Sequence, residues 1–251
     1  VFSNRDVNFY SHSNLSDKFI KDNIKQTLFH NSSEFIDSIF NMEKVNFTEN
    51  RSALHFVPRY FQDPKLSSLF PSIYYDLNQM FDISDRLNSA DYSYIKDIIH
   101  LGTGGSYLGP KMIYECFSHM SKGPNVHFVS NIDPLSLNKI ILRLKPENTL
   151  IISVSKSFTT YETQLNLERL KSWFVSNSVL DKFFENLFII TSFPDKAKSY
   201  GALETNILNL DINIGGRYSI WSSANLITTT LFGREFFIMF LKGGNSIDHQ
   251  V

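Results

Sequence analysis

The chain has a single cysteine, Cys116, in 251 residues. That excludes an intrachain disulfide and leads us to expect a reducing, cytoplasmic compartment; Cys116 itself reads as a small core filler. An excess of charge of either sign is also missing. Lys+Arg number 24 against 25 Asp+Glu, a formal net charge of −1, so no global field recruits nucleic acid or an anionic membrane. No apolar run approaches the roughly 18–20 residues that span a bilayer. Residues 1–22 are mostly polar and charged with no apolar h-region, so no secretory signal is expected. Solenoid-period repeats and low-complexity tracts are absent. No metal-ligand cluster or cofactor fingerprint is visible, so neither metal nor cofactor is expected. What remains is ordinary globular composition, 42% hydrophobic and 20% charged, with room for one large or two small domains.

Residues 1–94 read as mostly helical with breaks. Leu15, Phe19, Ile20, Ile24, Leu28 and Phe29 recur at helical spacing, as do Phe35, Ile36, Ile39 and Phe40. Nine Lys+Arg against twelve Asp+Glu in this region argue against a DNA-binding head. The dense polar stretch 45–55 suits a capped helix start with Thr48 as N-cap. Leu66 to Leu87 reads as irregular, then helical. From residue 97 the rhythm becomes strand, loop, helix. Strands are expected at 97–101, 125–130, 149–155, 186–191 and 206–211, with helices at 107–120, 134–144, 161–176 and 194–200. Short Ile- and Val-rich runs alternating with helices imply a parallel sheet with right-handed crossovers. The domain boundary is placed near residue 90, giving a helical region 1–90 and an α/β domain 91–251.

Three loops carry chemistry. The first strand runs into Gly102-Thr103-Gly104-Gly105-Ser106, where glycines admit close backbone approach and a helix start aims N–H groups at an oxyanion. The third runs into Ser155-Lys156-Ser157-Phe158-Thr159-Thr160, four hydroxyls and an ammonium where one N-cap would suffice. In a sheet ordered 2-1-3-4-5 those two loops face each other where the order reverses, the place where such sheets bind ligands. The fifth strand leads to Gly215-Gly216-Arg217, whose guanidinium stays charged. Taken singly, each loop is equally an ordinary turn.

With Asn46 to His55, Gly102 to Pro110, Ser155 to Thr163 and Gly215 to Ser222 in order, the chain resembles the amino-terminal half of the glucose-6-phosphate isomerase family. The likeness also takes in His127 to Asp133. It implies a five-stranded SIS-type sandwich preceded by a mostly helical region. It implies a sugar-phosphate substrate held at its phosphate by Gly105, Ser106, Ser155, Lys156, Ser157 and Thr160. Arg217 is implied to stabilise the cis-enediolate of an aldose–ketose isomerisation in glycolysis and gluconeogenesis. Two departures stand out: Ser157 replaces the usual Thr, and Ile212-Asn213 replace Asp-Trp. The family's catalytic Glu, ring-opening His and C-terminal Lys come from sequence beyond the last motif here, so these residues alone are expected to be inactive. The apolar run 236–241 is expected to be uncovered. The family is typically homodimeric. A non-catalytic sugar-phosphate-binding module, or a truncated remnant, is the alternative, and a transcription regulator with a SIS-type domain ranks last.

Overall fold

The inner strands of the sheet, 97–101, 149–154 and 187–191, form from side chains buried on both faces. In the computed structural model, which describes residues 2–4, 7–9, 32–121 and 123–249, the chain divides into two units, 1–53 and 54–251. The expected helix over 15–29 lies outside the described residues.

The first unit contains an antiparallel pair, β1 (Phe2–Asn4) with β2 (Val7–Phe9), which the helical reading did not anticipate. Helix α1 (Ser32–Phe40) follows as expected. No helix starts at Thr48. Asn46 Oδ1 accepts from the Thr48 hydroxyl at 2.8 Å and from the Glu49 amide at 3.4 Å, and the backbones of Asn46 and Arg51 bridge one another. A local side-chain acceptor thus closes a tight turn in place of a helix.

The second unit begins before the boundary expected near residue 90. A 3-10 turn (Val57–Tyr60) leads to α2 (Pro64–Leu69) and α3 (Pro71–Leu87). Leu77, Met80, Phe81, Ile83 and Leu87 of α3 are buried against the sheet, so α3 belongs to the same core. The sheet comprises β3 (Asp97–Leu101), β4 (Asn125–Val129), β5 (Thr149–Val154), β6 (Leu187–Thr191) and β7 (Ile207–Asn209). It is all parallel in the order β4-β3-β5-β6-β7, the 2-1-3-4-5 order expected. The last strand is shorter than expected because Asp211 Oδ1 accepts from the Asn213 amide at 2.8 Å, turning the chain.

Period-two alternation sorts the strands' side chains into two cores. Ile98, Ile152, Phe188, Ile190 and Leu208 face α3, α9 (Leu226–Phe232) and α10 (Arg234–Asp248). Ile99, Leu101, Ile151, Leu187 and Ile189 face α5 (Pro134–Ile141), α6 (Tyr161–Ser176), α7 (Leu180–Glu185) and α8 (Pro194–Tyr200). Helix α4 (Gly105–Phe117) contributes Tyr114 to the first core. Two further expectations are corrected. Cys116 is exposed, since α4 buries Pro110 and Ile113 and turns Leu108, Met112 and Cys116, spaced by four, outward. The run 236–241 is not left uncovered: Phe237, Ile238 and Leu241 are buried in the first core, with Met239 exposed. No helix among the described residues is long and apolar enough to cross a membrane.

Phe174 is fully buried in the second core, edge-on to Phe183 at 5.5 Å and Trp173 at 5.2 Å. Phe174→Ala is expected to cost about 3–5 kcal/mol of unfolding free energy, read by urea denaturation. A cost below ~1 kcal/mol would show that this core is not close-packed.

Candidate functional site

Parallel strands all end at one edge, so the three loops of interest leave the sheet there. Leu101 and Ser153 are register partners on neighbouring strands, which starts the Gly102 and Ser155 loops side by side. Helices α4 and α6 then pack on opposite faces, opening a crevice at the point where the strand order reverses.

The first loop is fixed by backbone sterics. Gly104 has φ +52° and ψ −123°, a conformation that L side chains rarely adopt. A Cβ on Gly105 would lie 1.8 Å from the carbonyl oxygen of Gly216 and 2.9 Å from Arg217 Cα. The first and third loops are therefore in backbone contact. Beneath them, His100 is buried, and its Nε2–H donates to the Ser106 carbonyl at 2.8 Å. Burial holds the His100 pKa down to about 4, so the ring is neutral and Nε2 carries its one proton.

The second loop is braced by its own hydroxyls. Thr160 occupies the N-cap position of α6 with extended backbone, yet makes no side-chain cap; its hydroxyl lies 3.0 Å from Ser155 Oγ. Helix capping does not account for Thr160. Ser157 Oγ accepts from the Thr159 amide at 3.2 Å and the Thr159 hydroxyl at 2.8 Å. Phe158 is buried with φ +50°, a strained setting for a non-glycine residue. The Phe158 carbonyl accepts from Gln164 Nε2 at 3.0 Å. Lys196 Nζ donates to the Ser157 carbonyl at 3.1 Å, bringing a second ammonium to the loop beside half-buried Lys156. Lys196 carried no sequence signal, because it comes from α8 and meets the loop only through the fold.

The third loop is a 3-10 turn, Gly216–Trp221, with Arg217 exposed on it. The departure at Asn213 is accommodated locally: its side-chain amide donates to Asp211 at 3.2 Å and its carbonyl accepts from the Leu54 amide at 3.1 Å. Below this loop lies Asp76 of α3, buried, with Asn209 Nδ2 donating to it at 2.8 Å. Burial pushes the Asp76 pKa up to about 7, against the Asn209 hydrogen bond and with help from Asp211. A cleft of about 330 Å³ elsewhere, lined by residues including Arg59, Asp63, Lys242 and His249, contains none of the loop residues. Arg59 is engaged there by Asp248 through two bonds of 2.6 and 2.7 Å.

The family model described as Phosphoglucose isomerase matches residues 9–251. The chain belongs to the phosphoglucose isomerase family. Glucose-6-phosphate isomerase of Cupriavidus taiwanensis is 34% identical over 229 residues, covering 85% of this chain and 42% of that protein. The Candida glabrata glucose-6-phosphate isomerase is 30% identical over 250 residues, covering 93% and 45%. This member of the phosphoglucose isomerase family thus spans less than half the length of those curated relatives. A glucose-6-phosphate isomerase structure from Chlamydia trachomatis superposes with a TM-score of 0.73 at 24% identity, covering 94% of this chain and 46% of that one. Over this stretch the two chains share one fold.

Two outcomes test this geometry. Gly105→Ala is expected to destabilise by more than about 1–3 kcal/mol, since its methyl meets backbone, which has no rotamer with which to yield; thermal unfolding near that of the parent chain would contradict the contact. Asp76 sets a pH dependence. Unfolded, it ionises at its ordinary 3.8; folded, it keeps its proton to about 7. The folded state binds more protons between those values, so stability falls as pH rises from about 4 to 7. Asp76→Asn, which keeps an acceptor for Asn209, should match the parent near pH 4 and exceed it by up to about 4 kcal/mol above pH 7. A pH-independent difference would show that Asp76 does not titrate in this window.

Proposed function

We propose that this chain supplies the sugar-phosphate site of an enzyme interconverting glucose 6-phosphate and fructose 6-phosphate through a cis-enediolate. The observation that carries the reading is the backbone contact of the Gly105 and Gly216 loops at the switch point, beside the hydroxyl-lined loop 155–160. Lys156 and the hydroxyls of Ser106, Ser155, Ser157 and Thr160 hold the phosphate, with the Gly105 amide at a helix start. Arg217 stabilises the negative charge that develops on the sugar oxygens as the C2 proton leaves.

Proton removal from C2 needs a carboxylate base as well. Glu162 stands in the first turn of α6 and matches no base of the family. We therefore assign residues 1–251 a binding and electrostatic role, with the base, the ring-opening His and the Lys supplied by sequence outside this stretch. A cytoplasmic location and a homodimer belong to the same proposal.

Lys156→Ala is expected to weaken glucose 6-phosphate binding by about 1.5–3 kcal/mol, the range for a charge-assisted hydrogen bond, leaving affinity for glucose unchanged by calorimetry. Equal losses for both ligands would make Lys156 structural. In a coupled assay, the 251-residue chain should bind without measurable turnover; a rate near that of a full-length relative would mean that the base lies within it.

A further inference from the structure

The second unit opens on a histidine that none of the three loops accounts for. The ring of half-buried His55 lies on that of Tyr218, with 4.1 Å between centroids and 16° between planes. Its Nδ1 is buried with no hydrogen-bond partner among the described residues. Tyr218 follows Arg217, whose guanidinium carbon is 5.0 Å from the centroid of the same ring. Because the imidazole fills one face of Tyr218, the guanidinium takes the other face or the edge. The Leu54 amide, one residue before His55, donates to the Asn213 carbonyl, tying this segment to the chain that leads into Gly215.

Charge fits the stack. Burial first, then Arg59 and more weakly Arg217, hold the His55 pKa down to about 4, with Asp248 pulling the other way. The imidazole is neutral at pH 7 and does not repel the guanidinium.

We propose that His55 is a positioning residue for Arg217: its ring clamps Tyr218, and the clamped ring fixes the direction in which Arg217 presents its donors. This rests on the proposed role of Arg217 toward an anionic sugar oxygen. His55 acts only through the tyrosine and need not touch the ligand.

Two readouts on the full chain separate this inference from that role. The Arg217 Nε–H resonance should carry a ring-current shift in the parent and in His55→Phe, which keeps a stacked ring. It should move to the position of an unrestrained arginine in His55→Ala and Tyr218→Leu. The second readout is affinity for 5-phosphoarabinonate, whose planar carboxylate imitates the charge and shape of an enediolate, against affinity for inorganic phosphate. His55→Ala should weaken the first about 2–5-fold, the span of an exposed cation–π contact, leave the second unchanged, and be rescued by His55→Phe. An unmoved Arg217 resonance in His55→Ala, or the same loss in His55→Ala and His55→Phe, would overturn the inference. Should Tyr218→Leu fail to fold, the two His55 variants decide. If Arg217→Leu leaves 5-phosphoarabinonate binding intact, the role of Arg217 falls, while the resonance still decides whether the clamp exists.

Discussion

The contact between Gly105 and Gly216 is a steric constraint on backbone, and much of the site hangs on it. A methyl group at 105 would sit 1.8 Å from a carbonyl oxygen, far inside any van der Waals distance. Neither partner can move alone. Gly105 begins α4, and one turn further along that helix a Cβ on Gly109 would lie 3.0 Å from Ile220 of the same 3-10 turn. His100 holds the Ser106 carbonyl from below. Helix α4 and the Arg217 turn are thereby joined over two successive turns of helix. An exposed arginine on this loop gains a fixed backbone origin despite its exposure.

Charge is distributed to match. His55 and His100 are both kept neutral near pH 7, chiefly by burial, and Asp76, under the same edge, is pushed toward neutrality. These three groups thus add little net charge of their own. The positive field at the crevice comes from the ammonium groups of Lys156 and Lys196, the guanidinium of Arg217 and the helix N-termini. Such an arrangement favours a dianion without having to counter buried charges of the same sign.

Much of this was legible in the sequence, for a physical reason. Strands buried on both faces must be apolar throughout, so β3, β5 and β6 are visible as runs, and α6 and α8 fall on the residues their patterns mark. Long-range partners are not encoded in period. Nothing local tells that α3 packs on the sheet, that Lys196 reaches the Ser157 carbonyl, or that the Thr160 hydroxyl turns to Ser155 and leaves α6 uncapped. Asn46 defeats the helix expected at Thr48 because its side chain takes the Thr48 hydroxyl and its carbonyl takes the Arg51 amide, a donor the Thr48 cap would need. Cys116 is outside because α4 buries a narrow stripe, which composition alone does not orient.

On the function proposed, one edge of the sheet, at its switch point, holds a sugar phosphate. Backbone amide resonances of the full chain titrated with glucose 6-phosphate test it most directly. Perturbations are expected to concentrate at residues 104–106, 155–160 and 215–217, fading toward Asp97 and Thr149 at the opposite ends of β3 and β5. Perturbations centred on the cleft between residues 59–64 and 238–249, with the three loops silent, would contradict it.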